Sequence, residues 1–381
     1  MQLISTQRNI GLDAARIAAA TAVLWAHMAG FLFEPLIDKR NAPLFDRILD
    51  SASGYGHQAV MVFFVLSGYL ISKGVWNQRR SFNWSVYLVS RLTRLWVVLV
   101  PALVLTLLLN KIGINFDDKG YYAGVMSSIY HGQRTWPVDL SAANFLGNIA
   151  FLQTITVTNY GDNEVLWSLS NEFWYYMLFP ALILVFHAKK VLSKIAHLTI
   201  AGLILALMPS EMLFLFLVWL MGFACHLIVS NQILSTVFSR SYTRLIFLLA
   251  FACALQATHS IKMTARFSDL MLGLFFSLLL ISTEINPPNF KWANRPLILL
   301  SDMSYTLYLV HFPILTLIVT AAMNNPQLER NIYNFALCLG IAFIIFSSTY
   351  LMYYLFERNT AKVRRHFNAL LSDRTNTELQ S

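Results

Sequence analysis

Charge is the first thing this sequence has little of. Of 381 residues, 12% are Asp, Glu, Lys or Arg and 57% are hydrophobic, against about 25% and 45–50% in soluble domains. With 14% aromatic residues as well, that scarcity excludes an intrinsically disordered chain, a nucleic-acid-binding module and a water-soluble enzyme as leading readings. No nucleic-acid partner is expected, and the lipid bilayer is. Cysteine is also scarce: Cys225, Cys253 and Cys338 all lie within apolar runs, so no disulfide framework is expected. Long polar stretches are missing, so the chemistry falls to the membrane segments. No internal repeat relates the first half to the second, which counts slightly against an inverted-repeat transporter. No Gly-x-Ser-x-Gly elbow is found, which favours direct group transfer over a serine acyl-enzyme.

What is present is a series of apolar runs of spanning length, which takes about 20 residues. Ten are found, at 10–33, 57–76, 94–112, 166–187, 195–209, 211–230, 243–258, 266–283, 296–323 and 332–357. Those at 195–209 and 243–258 are the short ones. The run 144–156 has the length of a re-entrant or interfacial segment within the loop 113–165, and is not counted as a span. Arg8 followed by Ala18, Ala19 and Ala20 resembles a signal peptide, but Arg16 and the continuation to Phe33 argue for a retained first span.

The expectation is an all-α polytopic transmembrane bundle, with a membrane domain over 1–357 and a polar cytoplasmic tail over 358–381. Ten spans put both termini on one side of the membrane. The basic residues divide about two to one in favour of that side being cytosolic, with five (Lys73, Arg79, Arg80, Arg91 and Arg94) between the second and third spans. The net charge of +9 is therefore mainly a topology signal.

Ionisable groups inside spans are costly and mark functional candidates. Arg16 and His27 are eleven residues apart, which brings them to within about 20° of one helical face. Asp13, one turn earlier, is placed to cap the helix and hold the Arg16 guanidinium. Ser168 and Glu172 stand at i and i+4, with Tyr175 and Tyr176 continuing the face. Ser301, Ser304, Tyr308 and His311 share a stripe before Pro313 weakens the helix. By depth, His27, Glu172 and His311 fall in the middle or outer half of the bilayer. Two histidines and a carboxylate around one cavity suit proton abstraction from a hydroxyl; a proton relay in a proton-coupled transporter or flippase could use the same groups. Lys73 to Arg94 suits a phosphorylated cosubstrate. Ser67 and Gly68 permit close approach of a helix or ligand. In the outer loop, Tyr121, Tyr122, Tyr130, His131 and Trp136 suit either sugar stacking or a membrane interface.

Five segments in order, "GLDAARIAAATAVLWAH", "FFVLSGYLIS", "SRLTRLW", "WSLSNEFWYYMLFP" and "SYTLYLVHFPIL", together resemble the acyltransferase 3 family of integral-membrane acyltransferases, many of which O-acetylate bacterial surface glycans. The resemblance covers nearly the whole chain. It implies acetyl-CoA or another acyl-CoA as donor, a glycan or glycolipid acceptor, and no metal. It also implies a multi-pass protein of a bacterial inner membrane, working beside surface-polysaccharide biosynthesis proteins. It makes His27 the catalytic base and Arg16 part of the acyl-CoA path or active site. Glu172 and His311 join the catalytic set, and Arg91, Arg94, Ser67 and Gly68 the donor-binding set. The basic motif departs from the family pattern, since Ser90 precedes Arg91 and the proline waits until Pro101. "FERNT" lacks the proline that often follows the family's Glu, here Glu357.

Overall fold

The structure is a computed structural model that describes residues 8–33, 36, 41–124, 136–261, 263–288, 294–323 and 328–378. Tyr130 and His131 of the outer loop lie outside the described residues, as do Lys39, Arg40, Arg134, Lys262 and Lys291 among the basic residues of the chain. The described residues are all-α and polytopic, with no strand among them. In chain order the helices are α1 (Ile10–Leu32), α2 (Leu44–Ser53), α3 (Gly56–Gln78), α4 (Trp84–Ile114), α5 (Ala142–Ile149), α6 (Leu166–His187), α7 (Val191–Leu207) and α8 (Ser210–Ser230). Then follow α9 (Gln232–Val237), α10 (Ser241–Ser260), α11 (Ala265–Ile285), α12 (Asn294–Asp302), α13 (Ser304–Leu317), α14 (Ile332–Leu355) and α15 (Thr360–Glu378).

Eight of these segments are long and apolar enough to cross a membrane, and Val191–Leu207 and Tyr242–Thr258 are shorter apolar helices. All ten expected spans are thus helical, and the two short ones coincide with the two shortest apolar runs.

Three boundaries differ from expectation. The third span begins at Trp84 rather than 94, because the Asn83 side chain accepts from the Val86 N–H (3.2 Å) and starts the helix a full ten residues early. Arg91 and Arg94 therefore stand on a helix rather than in a loop. The ninth span is broken after Asp302, where the Ser304 hydroxyl donates to the Ser301 carbonyl (2.7 Å) and competes with the helical ladder. Residues after Asn359 form α15, which packs against α4.

The chain divides into two compact units. The first comprises 1–26, 47–76 and 208–304, so it holds the start of α1, most of α3, and α8 to α12. Here α8 and α10 pack on α11. The crossing of α3 and α8 has its backbones in contact: a Cβ on Gly68 would lie 1.9 Å from the Trp219 carbonyl oxygen, and one on Gly222 would lie 2.2 Å from that of Val65. Only glycine fits at either position.

The second unit comprises 27–46, 77–207 and 305–381. It pairs α6 with α7, and α4 with α5 and α15. Prolines inside α6 and α13 each remove a helical N–H and release a carbonyl four residues earlier. Both carbonyls are recaptured from elsewhere in the unit. The Tyr87 hydroxyl donates to the Tyr176 carbonyl (2.9 Å), released by Pro180, and the Asn163 amide donates to the Leu309 carbonyl (2.9 Å), released by Pro313. Next to Asn163, the buried Asp162 carboxylate accepts from Asn110 (2.7 Å) and from the Thr316 hydroxyl. The run 144–156 falls on the two-turn helix α5, capped by Ser141, and then on a turn in which Phe151 and Thr154 adopt positive φ. At eight residues, α5 is about 12 Å long and cannot span.

Candidate active site

In the second unit α1 and α13 bring His27 and His311 into direct contact. His27 Nδ1 lies 2.8 Å from His311 Nε2, and His311 Nδ1 lies 2.8 Å from the Leu307 carbonyl oxygen. The rings are nearly parallel, at an interplanar angle of 19°, and Phe312 closes edge-on against His27 at 5.0 Å. His311 is buried, and His27 is half-buried.

This geometry sets the tautomers. A carbonyl oxygen only accepts, so His311 Nδ1 carries the proton and the neutral ring presents its Nε2 lone pair to His27. His27 Nδ1–H then donates, and the lone pair of His27 sits on Nε2. The His311 ring is thus in hydrogen-bond contact with His27 and orients it. A neutral acceptor on Nδ1 also stabilises the imidazolium that forms when Nε2 takes a proton.

Next to this pair, Tyr308 is buried with its hydroxyl 2.6 Å from Ser168 Oγ, so the Ser168 and Tyr308 stripes expected on separate helices meet. Glu172, one turn beyond Ser168, accepts from the Tyr176 hydroxyl on its own helix. The expected four-residue stripe does not survive whole. The break at Met303 leaves Ser301 on α12, while Ser304, Tyr308 and His311 stay together on α13.

The basic motif of α4 is split between two roles. The Arg91 guanidinium lies over the Tyr87 ring (5.6 Å). That of Arg94 pairs with the buried carboxylate of Glu357 and lies over the Tyr305 ring (5.2 Å). The other Glu357 oxygen accepts from the Thr306 hydroxyl (2.5 Å) and backbone N–H (3.2 Å), at the start of α13. Glu357 was legible only as a motif residue. A lone acid ending a 24-residue apolar helix, in a chain with a cation ten residues into α4, is the signal that suggests a partner, but neither period nor spacing supplies its address.

In the first unit, Arg16 and Asp13 share α1, yet the carboxylate of Asp13 is taken chiefly by another cation. Arg8 holds it through Nε (2.5 Å) and Nη2 (2.9 Å), Ser301 donates to it at 2.7 Å, and Arg16 stands 3.9 Å away. Asp13 thus stands within ion-pair distance of Arg16, as expected, but holds Arg8 more closely: five residues of spacing let Arg8 fold back over the helix start and reach both oxygens. Arg8 also reaches Asp302 at 2.8 Å. The bond to Asp13 is the main reason its pKa is raised. Ser67 accepts from the Trp219 indole (3.3 Å), and with Gly68 it belongs to the α3–α8 crossing.

The outer-loop aromatics divide too. Tyr121 and Tyr122 are buried, with Tyr121 edge-on to Phe31 at 5.8 Å, which removes them as open stacking platforms; Trp136 is exposed.

A family model described as an acyltransferase domain matches residues 9–357. The chain belongs to the acyltransferase 3 family. Comparisons with curated proteins and with solved structures each give no match. The match runs from the residue before α1 to Glu357, and so takes in both histidines, Arg16 and the Arg94–Glu357 pair. It identifies the protein as a multi-pass membrane acyltransferase, in keeping with its apolar helices.

Proposed function

We propose that this acyltransferase moves an acetyl, or another short acyl group, from cytosolic acyl-CoA to a hydroxyl of a cell-surface or lipid-linked glycan in a bacterial inner membrane. The observation that carries the reading is the chain of hydrogen bonds from the Leu307 carbonyl through His311 to His27, which puts the ring lone pair of His27 on Nε2.

In the reaction, His27 Nε2 takes the proton of the acceptor hydroxyl as the oxygen attacks the thioester carbonyl. The C–S bond then breaks, and the departing CoA thiolate recovers that proton from His27. No covalent enzyme intermediate is needed. His311 holds the ring and disperses the positive charge while the proton is on His27. Arg91 is the phosphate-binding candidate of the second unit and Arg16 that of the first, because an Arg fork matches phosphate geometry. Arg94, already matched by Glu357, is a positioning residue in this reading. It fixes the start of α13, the helix that carries His311.

The test uses purified protein in detergent with labelled acetyl-CoA and an extracted surface glycan. Loss of the base predicts a fall of about 10²–10⁴ in transfer for His27→Ala, with the melting temperature close to wild type. His311→Ala should lower the rate as well, and the double variant should lose little more than His27→Ala alone, as expected of groups that act as a unit. Equal transfer by wild type and His27→Ala would remove the catalytic assignment. Failure of the wild type to consume any acyl-CoA would sink the whole reading.

A further inference from the structure

The first unit contains a cavity of 570 Å³ bounded by α1, α3, α10 and α11. It plays no part in the chemistry above. On α1 it is lined by Ala14, Ala18 and Ala22 among others, one every fourth residue. At 100° per residue, Ala14 lies about 160° around the helix from Arg16. The helix therefore turns its polar residue one way and a cleared, methyl-lined face the other. The opposite wall comes from α10, from Arg244 to Leu255, which at 1.5 Å per residue makes the cavity about 16 Å long. Along that length the lining is almost wholly apolar, which suits an extended hydrocarbon chain.

Charge sits at one end of this space. Arg244 lines it, donates to the Asn286 carbonyl (2.6 Å), and pairs with no carboxylate among the described residues. The hydrogen bond fixes the guanidinium without neutralising it. At the far end the polar lining is Tyr55 and Gln58, and Tyr55 is tied to Gln256 (3.0 Å). The charge asymmetry of the loops assigns the Arg244 end to the cytosolic leaflet. An uncompensated guanidinium at the headgroup level, above an apolar slot about as long as one leaflet, matches a phosphate on a hydrocarbon chain.

We propose that this cavity is a binding site for an anionic phospholipid of the inner leaflet, with one acyl chain along the alanine face of α1 and the headgroup phosphate on Arg244. The proposal does not depend on the acyl-transfer reading.

Full-length protein, delipidated in detergent, would be titrated with phosphatidylglycerol and with phosphatidylcholine, and the adducts counted by native mass spectrometry. Wild type is expected to hold one phosphatidylglycerol per chain with at least a tenfold preference over phosphatidylcholine. Arg244→Gln, at the rim, should erase that preference and leave phosphatidylcholine binding as it was, and Arg244→Lys should restore part of it. Ala18→Phe should remove both lipids by filling the slot. Equal binding of the two lipids to wild type would overturn the proposal, as would an unchanged preference in Arg244→Gln. Conversion of a dimer to a monomer by Ala18→Phe, with lipid binding intact, would make the occupant a second copy and overturn it too.

Discussion

The first unit closes its central helix crossing by removing side chains, and the second closes its helices by adding hydrogen bonds. In the first, α3 and α8 approach until Gly68 and Gly222 leave no room for a methyl group. In the second, two prolines open the helical ladder, and Tyr87 and Asn163 repair it from other parts of the unit, while Arg94 and Glu357 add an ion pair. The difference is one of tolerance. A backbone contact has no slack, whereas a hydrogen-bonded repair can be weakened one bond at a time. It also places adjustable polar groups beside the histidine pair, where orientation matters, and inert packing where only proximity does.

This contrast is open to attack in order of severity. Gly68→Leu should abolish folding altogether, seen as loss of monodisperse protein on size exclusion, because a side chain there meets backbone rather than a movable group. If Gly68→Leu purifies and melts like wild type, the rigid crossing is wrong. Glu357→Gln should cost roughly 2 kcal/mol in thermal or denaturant unfolding. That is less than the 3–5 expected for a fully buried pair, since the Arg94 side chain is 44% exposed. Replacing both partners, with Arg94→Met and Glu357→Met together, should recover much of the loss, and a larger loss in the double variant would contradict the pairing.

Removing a single repair should be milder. Asn163→Leu, which orphans the Leu309 carbonyl, is expected to cost about 1–3 kcal/mol; Tyr87→Phe, at a half-buried site, should fall at the low end of that range. A shift equal to that of Gly68→Leu in either would erase the distinction between the units. Smallest of all is Glu211→Gln, which breaks the Arg266 ion pair between two exposed side chains and should leave the melting temperature unchanged.

Most of the helical layout could be read from hydropathy because a bilayer imposes one length on every span. The ten apolar runs, both histidines and the Ser168–Glu172 step were all visible as period and spacing. What was not visible is the pairing. Nothing local says that Arg8 rather than Arg16 reaches both oxygens of Asp13, that Glu357 meets Arg94 across 263 residues, or that Asn163 repairs a carbonyl released by Pro313. The break at Met303 was hidden for a related reason. A serine competing for the preceding turn looks, in sequence, like one more polar residue on a stripe.

On the His311 side the pair comes to an end: that branch of hydrogen bonds stops at the Leu307 carbonyl oxygen, a group with no proton to release and no second nitrogen to pass one along. A proton taken up at His27 is therefore not handed onward through His311. Such a pair can lend and reclaim a proton within one turnover, as group transfer between two substrates requires. Under the proposed reaction, in which the acceptor's proton returns to the departing thiolate, turnover should be indifferent to a pH gradient imposed across a proteoliposome.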